Sequence, residues 1–339
     1  MSLLGAVCFV VVIVTAARFL VRWLHADDLR GRVVLITGGS RGLGLVLART
    51  CLRAGTRVAI CARDERELAR ALRELRHVSR DILACRCDVT NPDDVRKLAG
   101  VVRQRWGAVD ALINNAGVIQ VGPVDTMTLE DYDESMRTHF WAALYTIREV
   151  LPDMRTHRHG RIVNICSIGG IMSLPHLIPY SAGKFALAGL SQGLRAELMK
   201  DGVTVTTVYP GLMRTGSARN ATFKSRHRDE YAWFSISDSL PLLTISATRA
   251  AQRIVWALRC GDGEVVLTLP AMLARKFHGV FPGLTIRLLA LANRLLPTVG
   301  GIGSRRAKGS DSTSAWSPSI WTVLGDRAAF RNNEDGGGR

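Results

Sequence analysis

Apolar residues along this 339-residue chain recur in short runs set between amphipathic stretches. Seven runs read as strands: "RVVLITG" (32–38), "RVAICA" (57–62), "ILACRCD" (82–88), "ALINNAG" (111–117), "RIVNICS" (161–167), "VTVTTVYPG" (203–211) and "EVVLT" (264–268). Helical spacing intervenes, as in "ERELARALREL" (65–75) and "FALAGLSQGLRAELMK" (185–200). Regular alternation of strand and helix predicts an α/β class with a Rossmann-type doubly wound parallel sheet, in a chain long enough for one large domain or two small ones. Sheets of this kind take ligands beyond the carboxyl ends of their strands.

The two ends break the pattern. Residues 3–17 carry no charge, and the apolar stretch resumes past Arg18 to Leu24. That length suffices for a spanning helix if Arg18 and Arg22 snorkel to the interface. A cleaved signal peptide would carry its positive charge before the apolar run; here the arginines follow it. Residues 1–25 are therefore expected to be a single-pass membrane anchor with the rest on the cytosolic face. Near the other end, 271–299 reads as an amphipathic helical extension. In "LTIRLLALANRLL" (284–296) Arg287 and Arg294 share one helical face while Leu288, Leu291 and Leu295 lie on another. A basic amphipathic helix on a membrane and a helix packed on protein are both compatible with that pattern. Residues 300–339 turn to Gly, Ser, Asp, Asn and Arg and read as a disordered tail.

Composition narrows the partners. The formal charge of +16 comes mostly from arginine, and 47% of the residues are hydrophobic. A basic chain suits nucleic acid, anionic lipid or phosphorylated ligands. No nucleic-acid motif is present, so lipid surface and cofactor phosphates are the expected partners. The seven cysteines lack paired CxxC spacing, which argues against a zinc site or a disulfide framework, and no metal is expected.

Candidate chemistry starts at "LITGGSRGLGLVLA", which runs from the first strand into a helix. Gly38, Gly42 and Gly44, with Ser40, Arg41 and Leu43 between them, form a loop whose backbone N–H groups can approach a pyrophosphate at a helix N-terminus. The second strand ends with Ala62 where an NAD-specific site usually offers a carboxylate, and Arg63 follows. Arg41 and Arg63 suit a 2′-phosphate, so NADP(H) is expected rather than NAD(H); a surface pair of Arg63 with Asp64 is the alternative. Further on, Tyr180 and Lys184 stand four apart, on one face of a helix. A cation there should lower the phenol's pKa and fit it for proton exchange.

Taken in order, these motifs resemble the short-chain dehydrogenase/reductase family in its compact single-domain form, over roughly 30–270. "TGGSRGLG" matches the family's cofactor loop, and "CDVT" places Asp88 at the adenine. "NNAG" (114–117), with Asn115, Ala116 and Gly117, matches the segment behind the cofactor. Ser167 precedes Tyr180 by the family's spacing, Tyr180 and Lys184 match its Tyr-x-x-x-Lys pair, and "YPGLMRT" supplies Pro210, Gly211 and Thr215 near the nicotinamide. The resemblance implies that Tyr180 exchanges the proton, Lys184 binds the nicotinamide ribose, and Ser167 steadies the substrate oxygen. It also implies a homodimer or homotetramer. One position departs from the family: His139 stands where an asparagine often holds a relay water, and it can gain a charge near pH 6.5. A packed histidine without a relay role is the other reading.

The segment after Thr215 mixes Lys224, Arg226, His227 and Arg228 with Tyr231, Trp233 and Phe234. It suits a lid over a lipophilic substrate such as a sterol, retinoid, long-chain keto or acyl compound, its basic run meeting an anionic headgroup; aromatics packed on the core are the alternative. The expected protein is an anchored NADP(H)-dependent oxidoreductase acting on carbonyls or alcohols. A membrane-anchored NADP(H) sensor or scaffold without turnover is the rival from another class.

Overall fold

A computed structural model describes Phe9, Arg22 and residues 26–335. Its centre is a parallel sheet of β1 (Val33–Thr37), β2 (Arg57–Ala62), β3 (Ile82–Arg86), β4 (Ala111–Asn114), β5 (Gly160–Ile165), β6 (Val203–Tyr209) and β7 (Glu264–Val266), in the order β7-β6-β5-β4-β1-β2-β3. Each of the seven strands lies inside, or within one residue of, an apolar run read from the sequence. Register pairs Ile36 with Ile60 on one side and with Ile113 on the other. Strand order therefore reverses between β1 and β4, which opens a ligand crevice at their carboxyl ends.

Alternate residues of each strand face opposite sides. Val34, Ile36 and Ile60 pack with α1 (Gly42–Arg53), α2 (Glu65–Arg76) and α8 (Ala247–Cys260). Val33, Leu35, Leu112 and Ile162 face α3 (Pro92–Trp106), α5 (Ala142–Thr156) and α6 (Ile178–Leu198). Helix α4 (Leu129–Met136) runs through a π-helical turn, Arg137–Trp141, into α5. The segment after Thr215 folds into α7 (His227–Ser237).

The extension forms two helices, α9 (Leu269–Val280) and α10 (Pro282–Asn293). Among the described residues no helix is long and apolar enough to cross a membrane. The expected anchor, 1–25, lies outside the described residues except for Phe9 and Arg22, the latter paired with Asp262.

The expectation of a disordered tail is corrected over 300–335. Ala307–Lys308 pairs with Thr222–Phe223 in a small three-stranded sheet, Arg306 forms ion pairs with Asp131 (2.8 Å) and Glu134 (2.9 Å), and α11 (Val323–Arg331) follows. Ser312, Ser317, Thr322 and Asn332 are buried, and all four make hydrogen bonds. Local composition reads as disorder because these short polar residues bury little apolar area. Ser312, Ser317 and Asn332 are ordered instead by partners more than 80 residues away in the chain, and the Thr322 carbonyl accepts from Ser239, 83 positions back.

Candidate active site

The glycine loop joins β1 to α1. A Cβ on Gly44 would collide with the Gly38 carbonyl and stand 2.6 Å from Asn115 Nδ2, so only glycine lets the helix start this close to the strand. Asn115 holds the loop from behind: its side-chain amide donates to the Thr37 and Gly38 carbonyls, both at 3.1 Å. The backbone N–H groups of Asn115 and Ala116 both donate to Thr37 Oγ1 at 3.0 Å. Helix α1 has no acidic residue in its first turn and no side-chain cap, leaving its positive end for a ligand or for other chain atoms. Asp88, expected at the adenine, follows β3, its carboxylate accepting from the N–H (3.0 Å) and hydroxyl (2.8 Å) of Thr90.

The two arginines expected at the ribose behave differently. Arg63 is exposed just past β2, and Asp64 caps α2 by accepting from Glu67 N (2.9 Å) instead of pairing with it. Arg41 is taken: it forms ion pairs with Glu67 at 2.6 Å and Glu334 at 3.4 Å. Both carboxylates come from outside the loop, and the sequence motif carries no trace of them.

Ser167, Tyr180 and Lys184 converge as expected. A Cβ on Gly169 would stand 3.3 Å from the Tyr180 ring and 3.4 Å from Ser167 Oγ. Ser167 Oγ accepts from Gly169 N at 3.0 Å, which keeps the hydroxyl proton for Tyr180 or a substrate oxygen. Lys184 lies 5.7 Å from the Tyr180 ring centre and donates to the Ile165 carbonyl at 2.8 Å. Helix α6 is fixed in place by buried polar links: Ser135 Oγ donates to the Pro179 carbonyl (2.6 Å), and Asn114 and Asn164 connect β4 and β5 to Ser191 (2.9 and 2.8 Å). Of these only Asn114 fell in a motif read from the sequence; Ser135, Asn164 and Ser191 were missed, because their roles depend on contacts 27 to 50 residues apart in the chain.

The electrostatic expectation for Tyr180 is corrected. Burial raises its pKa above the ordinary phenol value, and the hydrogen bond from Ser167 opposes this only in part. Lys184 is buried too and drops to about 8. The low-polarity surroundings disfavour both charged forms, and the ammonium points at a carbonyl instead of at the phenol. The phenol here is a proton-bearing acid.

His139 lies in the π-helical turn, edge-on to the Tyr180 ring at 5.3 Å. Burial first, then the Lys184 charge, push its pKa well below 6.5, so the expected charge near that pH is also corrected. Nε2 meets the Val118 carbonyl at 2.9 Å, which assigns the proton to Nε2. Nδ1 is then a buried acceptor with no hydrogen-bond partner. The ring borders a small cavity that Thr37, Asn114 and Thr138 also line.

In the loop expected near the nicotinamide, Ile168 N donates to the Pro210 carbonyl at 2.8 Å, and Gly211 packs against Thr268. Thr215 is buried; its hydroxyl donates to Ser217 Oγ at 2.9 Å, and its carbonyl accepts from Asn332 at 3.1 Å. In the lid, Tyr231 and Phe234 pack on Phe223 and Val121 in a cluster that Tyr180 and Trp233 border. Lys224 does not face a headgroup: it is buried and paired with buried Asp131.

Residues 32–225 match the family model described as short chain dehydrogenase. A putative ketoacyl reductase of the granaticin polyketide synthase of Streptomyces violaceoruber is 37% identical over 246 residues, 69% of this chain and 88% of that one. An 11-beta-hydroxysteroid dehydrogenase A from Sesamum indicum is 32% identical over 253 residues, 73% of this chain and 71% of that one. Among solved structures, L-sorbose reductase from Gluconobacter frateurii complexed with NADPH and L-sorbose superposes with a TM-score of 0.63 at 25% identity, covering 71% of this chain and 97% of that one.

Proposed function

Because the chain belongs to the short chain dehydrogenase family and is an oxidoreductase, we propose that it uses NADP(H) to interconvert a carbonyl with a secondary or primary alcohol on a lipophilic substrate. One observation carries the reading: the Tyr180 ring, Ser167 Oγ and the Lys184 side chain meet at the carboxyl ends of the strands, beside a glycine loop that a side chain would fill. The residues present fit a dinucleotide. The first-turn N–H groups of α1 suit a pyrophosphate, and exposed Arg63 beside Ala62 suits a 2′-phosphate better than a bare ribose. The NADPH in the L-sorbose reductase structure supports the same choice.

NADPH, when bound, supplies the hydride. Tyr180 donates its phenolic proton to the carbonyl oxygen, and Ser167 holds that oxygen with its hydroxyl. Lys184, anchored on the Ile165 carbonyl and cationic below about pH 8, has donors left to hold the nicotinamide ribose hydroxyls. His139 Nδ1, neutral and unpartnered, accepts a hydrogen bond from a relay water in the cavity it lines.

L-sorbose reductase acts on a sugar with this fold, so lipophilicity is argued from this chain alone. Tyr180 and Leu174, both partly buried, pack against an apolar cluster of Val121, Leu177, Phe223 and Phe234, which favours an apolar surrounding for the reacting carbon. Helices α9 and α10 and the Phe281 link between them also present Leu273, Phe281, Ile286 and Leu291 to solvent, each more than half exposed, among Arg275, Lys276 and Arg287. This surface, and separately the uncharged apolar sequence of residues 3–17, supports contact with a membrane by a protein on its cytosolic face. Exposed Trp141, in the π-helical turn leading into α5, and Phe185 on α6 support a homodimer or homotetramer through these elements.

Purified protein is assayed against ketosteroids, retinal, long-chain 3-ketoacyl esters and sugars with NADPH and NADH. Turnover of a lipophilic carbonyl, tighter binding of NADPH than NADH, and loss of turnover in Tyr180→Phe are expected. Turnover of sugars alone refutes the substrate class. Equal NADH affinity refutes the cofactor choice. Unchanged activity of Tyr180→Phe refutes the mechanism.

A further inference from the structure

The end of the described chain lies in the dinucleotide crevice. Helix α11 packs Ala329 against Gly216, beside the nicotinamide loop, and the chain then crosses to the glycine loop. Asn332 spans the two: its side-chain amide donates to the Thr215 carbonyl at 3.1 Å, and its carbonyl accepts from Gly42 N at 2.8 Å. That N–H opens α1 and belongs to the set a pyrophosphate would take. Asn333, in the left-handed region at φ 59°, donates to the carbonyls of Ser40 (2.7 Å) and Glu67 (3.2 Å) and accepts from Arg70 Nε (2.8 Å).

Glu334 completes the contact. Its carboxyl group fills the space a Cβ on Gly42 would need, where φ is +56°. It approaches Arg41 Nε at 3.4 Å and accepts from Asn220 Nδ2 at 2.6 Å. Glu67, on α2, shares Arg41 with it, and neighbouring Asp335 is paired with Arg219. These bonds take up the loop N–H and Arg41, two groups the cofactor reading needs. A bound pyrophosphate and this segment cannot occupy the glycine loop together.

We propose that residues 332–335 form an autoinhibitory strap that competes with the dinucleotide for the glycine loop and is displaced when NADP(H) binds. The strap acts as an internal competitor. Full-chain affinity is the intrinsic affinity reduced by the fraction of molecules with the strap open. It rests on the assignment of the crevice to NADP(H).

The test compares NADPH binding, read by nicotinamide fluorescence without substrate, in the full chain, in a variant lacking 332–339, and in the full-length double variant Asn333→Ala/Glu334→Ala. With the strap open in fewer than about one molecule in ten, deletion tightens Kd at least about tenfold, and the double variant moves the same way. The double variant also reports if the shortened chain fails to fold. Hydrogen exchange on the unmodified chain gives a second readout: saturating NADPH should speed exchange of amides 329–335. Unchanged or weaker NADPH binding in the variants, or slower exchange of those amides with NADPH, overturns the strap. Equal binding by all three proteins refutes the strap and leaves the cofactor assignment standing. Binding by none refutes the assignment, and the strap with it.

Discussion

Replacing the catalytic-site lysine by methionine should make the protein more stable while removing its activity. Lys184 is 4% exposed, and burial lowers its pKa from 10.5 to about 8. At pH 7 the folded state therefore keeps an ammonium that the unfolded chain holds more easily. About 1.4 kcal/mol per pKa unit puts the cost on the order of 3 kcal/mol. Lys184→Met removes that cost but leaves the Ile165 carbonyl without its 2.8 Å partner, a loss of about 1 kcal/mol. Methionine fills a similar volume, so the net gain at pH 7 is about 2 kcal/mol. The sign with pH is definite. The lowered lysine pKa means that folding releases a proton between about pH 8 and 10.5, so the native protein gains stability as pH rises through that window. By pH 10 most of the cost has gone, and wild type and variant should be nearly equal. Urea unfolding of both proteins at pH 7 and pH 10, with the midpoint and slope fitted separately, measures the difference. A destabilised Lys184→Met at pH 7, or a gain of the same size at pH 10, would refute the claim that burial dominates at this lysine.

Gly44→Ala should weaken NADPH binding by at least about a hundredfold, because the added carbon forces the loop away from Gly38 and Asn115 and a displaced loop loses about 3 kcal/mol or more; titration with NADPH checks it, and near-normal affinity contradicts the loop geometry. His139 should show no imidazole titration between pH 6 and 8 in nitrogen-detected NMR, since burial holds it neutral; a midpoint near 6.5 would place it in water. Glu334 is raised from 4.5 to about 7 by burial, against the pull of Arg41 and Asn220. A raised carboxyl pKa stabilises the strapped state fully below about pH 4.5, and that contribution is lost as pH climbs through about 7. The ratio of NADPH affinities, full chain over Glu334→Gln, should therefore rise between pH 5 and 7.5, by at most about tenfold per pH unit, and a flat ratio excludes proton linkage at Glu334.

Strands, the glycine loop and the Tyr180–Lys184 pair were legible in the sequence because each depends on near neighbours, whereas Ser167 entered only through the family resemblance. A buried parallel strand needs an apolar run, a helix face needs spacing of four, and a tight strand-to-helix turn needs glycine. Ionisation was not legible. The four-residue spacing of Tyr180 and Lys184 suggests a lowered phenol pKa, yet the fold buries both and turns the ammonium towards Ile165. Neither was the partnering of Arg41, whose carboxylates stand 26 and 293 positions further along. The tail shows the same limit most clearly. Asn332, Asn333 and Glu334 are short polar residues whose local pattern promises no structure, and they are ordered by hydrogen bonds to Gly42, Ser40 and Asn220. Local periodicity determines which segments form elements. Burial and long-range pairing, which arise only when those elements pack, decide which groups carry charge and which chain atoms reach the crevice.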